Sequence, residues 1–230
     1  MKTIPLASYN NIYEFECDDE LTNKILADIK NQQIIWQCTV PNDDVYNYFG
    51  YLGSEDSPVP YYHHELFNWF NDCLKTISKN NFDDVTLTIS DAWLTKSKFG
   101  QHADPHNHSA SIYSGVFYLS THNTAETFFE YRDVTIKNLL GNVGSHFKIN
   151  RVNQTIVSKS EKNKLIIFPS DLMHSVKINK DLMNTRYTLA FNTFYDGVIS
   201  SRKTAILDIK VNSVKDKYEA YMNKKNNETM

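Results

Sequence analysis

Cysteine is scarce. Cys17, Cys38 and Cys73 are the three among 230 residues, and no two stand in a Cys-x-x-Cys or comparable metal spacing. An odd count in a chain of this size points to reduced thiols rather than a disulfide framework, and so to a cytoplasmic setting. Seven glycines and six prolines exclude collagenous and low-complexity classes. No apolar run approaches the length of a membrane span, and Met1-Lys-Thr-Ile-Pro5 leads into polar residues instead of a signal-peptide core. Charge of one sign is lacking too: a net charge of −3 argues against a basic binder of duplex nucleic acid and against a polybasic membrane-surface protein. The expectation is a soluble cytoplasmic protein with one core.

Arginine is the scarcer cation. Arg132, Arg151, Arg186 and Arg202 are the four among 24 basic residues. Where lysine is the default, a retained arginine points to a place that needs a planar fork, which lysine cannot imitate at a carboxylate.

What is present is a helical start followed by strands. From Asp18 to Gln33 the apolar residues Leu21, Ile25, Leu26 and Ile29 fall at helical spacing, with Asp18 or Asp19 as the cap. A second helix is predicted from Tyr62 to Lys79, with Leu66, Trp69, Phe70, Cys73, Leu74 and Ile77 as its stripe. After Asn81 the period changes to two. Strands are expected near Val85–Ser90, Ile112–Ser120, Thr127–Tyr131, His146–Asn150, Val152–Val157, Lys164–Phe168, Ser175–Ile178, Arg186–Phe194 and Thr204–Ile209. Short strands without a βαβ rhythm predict a mainly β fold with flanking helices, the double-stranded β-helix or cupin-like jelly roll. The chain divides into a helical support (1–80), a jelly-roll core (81–210) and a charged terminal helix (211–230).

Four histidines bracket the strand region. In Gly100-Gln-His-Ala-Asp-Pro-His-Asn-His108, the residues His102, Asp104, His106 and His108 alternate, so on an extended segment all four share one face. Two such ligands and a third from a distant strand make a facial metal site with open positions for substrate and oxygen. His174, after the turn Pro169-Ser-Asp171, is the natural distant ligand. Twelve residues on, Arg186 opens a strand on which Arg186, Thr188, Ala190 and Asn192 share a face. That arginine and the Thr188 hydroxyl together suit a carboxylate.

The ordered set resembles the iron(II)/2-oxoglutarate-dependent oxygenases: the histidine cluster, the strand Ser114-Gly-Val-Phe-Tyr-Leu119, the Phe-Pro-Ser turn before His174, then Arg186 and a Phe191-Asn192 strand end. Pro105-His-Asn-His108 with Ser-Gly-Val-Phe-Tyr resembles a small prolyl-hydroxylase-like branch found in phages and marine bacteria. The resemblance spans Trp93 to Phe194. It implies that His106 and His174 are iron ligands and that Arg186 pairs with the far carboxylate of 2-oxoglutarate, with Tyr118 and Thr188 hydrogen-bonded to the same group. The remaining ligand is His108, or Asp104 in the register that pairs it with His102. The first choice gives three imidazoles and leaves the metal's full charge; the second cancels one unit of it.

The implied cofactors are Fe(II), 2-oxoglutarate and O2, with ascorbate as a supporting reductant. The implied reaction is hydroxylation of an unactivated C–H bond, on a prolyl or other side chain of a peptide or protein, or on a small molecule, in a bacterium or a phage-infected host. Two other readings share the architecture: a cupin-type metal enzyme or binding module without 2-oxoglutarate, and an inactive jelly roll that serves as an interaction protein. The cupin reading expects a glutamate soon after the histidine pair, and Ser109–Tyr113 has none. Tyr46–Tyr62 and Asp133–Gly144 are candidate lids, since loops at a jelly-roll mouth select substrate.

Overall fold

In the computed structural model, residues 1–5, 11–31, 37–38, 47–49, 62–81, 86–132, 153–201 and 204–228 are described. They form two antiparallel sheets and three helices. The larger sheet runs β1 (Lys2–Pro5), β2 (Asn11–Glu16), β10 (Lys164–Pro169), β7 (Tyr113–Tyr118), β12 (Arg186–Ser201), β5 (Thr86–Ser97), β4 (Asn47–Phe49), β3 (Gln37–Cys38), with β13 (Thr204–Ile209) also on β12. The smaller sheet runs β6 (Ala103–His106), β11 (Met173–Val176), β8 (His122–Arg132), β9 (Asn153–Ser160). This is the expected jelly roll with flanking helices.

Helix α1 (Asp19–Asn31) starts where Asp18 Oδ1 accepts the backbone N–H groups of Glu20 and Leu21 at 2.8 and 3.2 Å. Helix α2 (His64–Asn81) buries the predicted stripe of Leu66, Phe70, Cys73, Leu74 and Ile77. Its Phe70 ring meets Phe117 on β7 at 5.6 Å and Phe191 on β12 at 4.9 Å, closing the core between helix and sheet. Helix α3 (Val214–Glu228) begins with a reciprocal cap: Asp216 N–H donates to Ser213 Oγ, and Ser213 N–H donates to Asp216 Oδ2, both 3.1 Å.

Alternation along the strands of the larger sheet separates two compartments. Leu189 and Phe191 on β12, Phe117 on β7, and Leu165 and Ile167 on β10 face the helices. Val116, Tyr118, Ile166 and Phe168 face the smaller sheet. On β5 this alternation changes phase. Asn192 pairs with Asp91 while Thr193 pairs with Ile89, so Ser90 is an extra residue, a bulge. Leu87 and Ile89 before it and Ala92 and Leu94 after it all reach the helix core, and Trp93 turns to the other compartment.

The segment 1–80 is not only helical. Strand β2 pairs with β10, from Lys164 opposite Glu16 to Ile167 opposite Tyr13, and β1 pairs with β2. Ile12 is buried on the side of the smaller sheet and Tyr13 on the helix side. Tyr13-Glu14-Phe15-Glu16 alternates apolar and polar residues, a signal of only four residues beside the longer helical pattern that follows it. The expected strand at His146–Asn150 lies outside the described residues, as do both candidate lids except 47–49 and 62.

Candidate active site

The histidines come together because β6 carries a bulge. His106 is the register partner of His174 on β11, and Ala103 is the partner of Val176, so two residues of β11 span three of β6. The extra residue, in the stretch Asp104-Pro105, lets Ala103 and His106 both face inward. Asp104 turns outward: its side chain is 71% exposed, and its Oδ1 lies 3.4 Å from His102 Nε2. His108, just past β6, is fixed by its backbone N–H to the Ser170 carbonyl at 2.8 Å. Potential ligand atoms of His106, His108 and His174 lie within 4.8 Å of one another, and they form the metal-ligand cluster found among the described residues.

The tautomers follow from the hydrogen bonds. Each Nδ1 stands against a carbonyl-type oxygen: His106 on Asp104 O at 2.7 Å, His174 on Leu172 O at 2.9 Å, and His108 on Asn192 Oδ1 at 2.7 Å. A carbonyl oxygen only accepts, so every Nδ1 carries a proton, and in the neutral ring this leaves the lone pair on Nε2. His108 Nε2 is buried without a hydrogen-bond partner, and an orphaned buried acceptor fits a site meant for a cation. Burial, with His106 alongside, pushes the His174 imidazole down to about 3. Burial lowers His108 as well, opposed by its bond to Asn192. Both are therefore neutral near pH 7, the form that ligates.

Aromatic rings hold the cluster. Trp93 stacks on His108 at 5.5 Å and 23°, and Phe168 meets His174 edge-on at 4.8 Å.

Arg186 lines the same cavity of about 70 Å³, with the triad, Trp93, Thr95, Thr127 and Thr188. The arginine is 3% exposed. Its Nε donates to Ser160 Oγ at 3.0 Å, and its guanidinium lies over the Tyr118 ring at 5.3 Å. Burial pushes the guanidinium below its ordinary value, opposed by Tyr118; no carboxylate among the described residues offsets it. An isolated buried cation is costly, so a pocket built around one is shaped for an anion.

The other residues singled out from sequence divide cleanly. Thr188 is buried in the cavity wall, directly across from Tyr118. The Tyr118 hydroxyl is 2.8 Å from Thr127 Oγ1. His102 and Asp104 pair with each other outside the triad. His63, His64 and His122 do not line the cavity. Sequence reasoning missed Trp93, Ser160 and the side chains behind His108. The signal for Asn192 was its place on the inward face of the Arg186 strand; Trp93 had none, since the β5 bulge decides its face.

A jelly roll with three convergent imidazoles and a buried, unneutralised arginine in one cleft defines a class: an oxygenase-type site for a divalent metal and a carboxylate ligand. Residues 91–192 match the 2OG-Fe(II) oxygenase family. No curated protein matches the sequence. A 2OG-Fe(II) oxygenase family oxidoreductase from Burkholderia pseudomallei superposes with TM-score 0.56 at 12% identity, over 79% of this chain and 84% of that one. A prolyl-4-hydroxylase from Pseudomonas putida gives 0.52 at 10%, over 81% and 94%. SnoN, a non-heme alpha ketoglutarate dependent epimerase from nogalamycin biosynthesis, gives 0.57 at 7%, over 88% and 89%. At these identities the likeness is one of fold. The stretch that matches the 2OG-Fe(II) oxygenase family, residues 91–192, holds all three imidazoles together with Arg186 and Thr188.

Proposed function

We propose that this oxygenase binds iron(II) through Nε2 of His106, His108 and His174, and 2-oxoglutarate with its far carboxylate on Arg186. The reaction we assign is hydroxylation of an unactivated C–H bond with O2. The observation that carries this reading is Arg186: a fully buried fork, free of any carboxylate among the described residues, in the wall of the cleft that also holds the triad. Iron(II), when bound, supplies the redox chemistry that couples loss of CO2 from 2-oxoglutarate to activation of O2.

The chain's own residues do the rest. Arg186 sets the depth and direction of the cosubstrate by a bidentate, charge-assisted pair. Thr188 offers a hydroxyl beside it. Tyr118 supports the guanidinium from below, and Ser160 holds its Nε, so the fork is preorganised. Three neutral imidazoles bring no negative charge to the metal, which favours a dianionic cosubstrate. Trp93, Phe168 and Val116 make an apolar wall that keeps bulk water from the reacting centre.

The substrate class we favour is a side chain, prolyl or other, of a peptide or protein. The fold of the Pseudomonas putida prolyl-4-hydroxylase supports it. A small molecule is the competing class, since SnoN shares the fold and its structure holds Fe3+, alpha ketoglutarate and nogalamycin RO.

The test is succinate formation from 2-oxoglutarate by the purified chain with iron(II), ascorbate and a cell extract, followed by a search for peptides and metabolites that gain one oxygen. Metal-dependent binding of 2-oxoglutarate, lost in Arg186→Ala, is expected. A chain that binds neither iron(II) nor 2-oxoglutarate overturns the assignment.

A further inference from the structure

The three imidazoles are not held alike. His106 and His174 each give their Nδ1 proton to a backbone carbonyl two residues earlier, Asp104 O and Leu172 O. The strand and the turn alone provide these acceptors. His108 instead gives its proton to a side chain 84 positions away, the Oδ1 of Asn192.

That oxygen has a second donor. The Ser114 hydroxyl reaches it at 2.7 Å. Behind Ser114 lie two more hydroxyls, Ser170 Oγ at 2.8 Å from Ser114 and Ser111 Oγ at 2.9 Å from Ser170; Ser111 donates to the Thr193 carbonyl at 3.2 Å, so with Ser114 donating to Asn192 the one Ser170 proton serves either Ser114 or Ser111. Ser114 and Ser170 are buried at 1% and 0% exposure. The His108 tautomer that leaves Nε2 free carries its proton on Nδ1, and it requires the amide oxygen, not the NH2, to face His108. A flipped amide would set its NH2 against the Nδ1 proton of the tautomer that leaves Nε2 free.

We infer that Asn192 is a positioning residue for the metal centre: its amide oxygen, which also accepts from Ser114, fixes His108 as a neutral Nε2 ligand. The inference rests on the triad being the metal site. The common partner behind a metal-bound histidine is a carboxylate, which strengthens the ligand and brings negative charge near the metal. An amide orients the ring without that charge. Asn192 therefore completes what the His108 position begins, a centre with no anionic group in contact with the metal or directly behind this ligand.

Cobalt(II) serves as the probe, read by its visible d–d absorption and by competition against a chelator, with the full-length protein and its variants. Asn192→Ala is expected to bind cobalt about 10- to 100-fold more weakly, with an altered d–d envelope. Asn192→Asp, nearly identical in shape, is expected to keep cobalt affinity, shift the d–d bands and weaken metal-dependent 2-oxoglutarate binding. Ser114→Ala is expected to reproduce the effect of Asn192→Ala in weaker form, and it covers the case in which Asn192→Ala fails to fold. Cobalt affinity and spectrum unchanged in both Asn192 variants overturn the role of Asn192 while leaving the metal site intact. Failure of the parent protein to bind cobalt overturns the metal site itself, and the inference with it.

Discussion

Arg186 on β12 and Ser160 on β9 join the two sheets through a single 3.0 Å hydrogen bond from Nε to Oγ. Both residues are buried, and the serine is already satisfied on its donor side by the Ala125 carbonyl at 3.0 Å. The arginine is therefore oriented by the protein without being neutralised by it.

Arg186→Lys keeps the charge and removes the fork. Loss of one of the fork's two charge-assisted hydrogen bonds costs about 1.5–3 kcal/mol, so 2-oxoglutarate affinity should fall by roughly 10- to 150-fold, read by calorimetry on the metal-loaded protein. Arg186→Met should behave differently in the absence of cosubstrate. Removing an unneutralised buried cation removes its desolvation penalty, and Ser160 keeps its bond to Ala125. The expected signature is a metal-free thermal midpoint equal to or above that of the parent, with no response to 2-oxoglutarate.

His106→Ala and His174→Ala should abolish tight metal binding. His102→Ala and Asp104→Ala should leave it near parent level, because Asp104 contributes its backbone carbonyl, not its carboxylate, to His106. Titration with iron(II) under anaerobic conditions checks this. Metal loss in Asp104→Ala would restore the imidazole-carboxylate pairing.

Ligands that bind only the folded state stabilise it by mass action. At 100 times the dissociation constant the gain is about 2.7 kcal/mol, and for a chain of this size each kcal/mol shifts the midpoint by about 2–4 °C. Manganese(II) with 2-oxoglutarate should therefore raise the melting temperature by roughly 5–10 °C, and chelator should reverse it.

Gly115 lies directly across from Phe191, whose ring covers the glycine. A Cβ at this position would come within 2.5–2.7 Å of the ring's two Cε atoms, and that ring is fully buried against Phe70. Gly115→Ala should cost about 1–3 kcal/mol, measured by urea unfolding. Adding Phe191→Leu should recover part of the loss, a coupling that two independent sites would not show.

Much of the core was legible because it is regular. The alternation of Arg186, Thr188, Ala190 and Asn192 survives unchanged in β12, and the α2 stripe is buried as its spacing predicts. The triad's third member stayed open in the sequence because strand phase is set by pairing with β11, a contact between distant segments. Trp93 was illegible for the same reason: its face depends on the bulge at Ser90, which the pairing with β12 creates. Strand β2 was hidden by the shortness of its Tyr13-Glu14-Phe15-Glu16 alternation, and the Ser111, Ser170 and Ser114 hydroxyls by the ordinariness of serine in turns.

The bulge in β6 has one more implication. A regular strand laid out from the His106–His174 pair would bring Asp104 inward beside His106, whereas the strand as bulged leaves that carboxylate in solvent. Both a carboxylate and an imidazole option are thus written within five positions, and a one-residue change of phase selects between them. Moving the bulge to the other side of Asp104, with the sequence of Asp104-Pro105-His106 kept, would be a change of ligand field, made without altering any ligand.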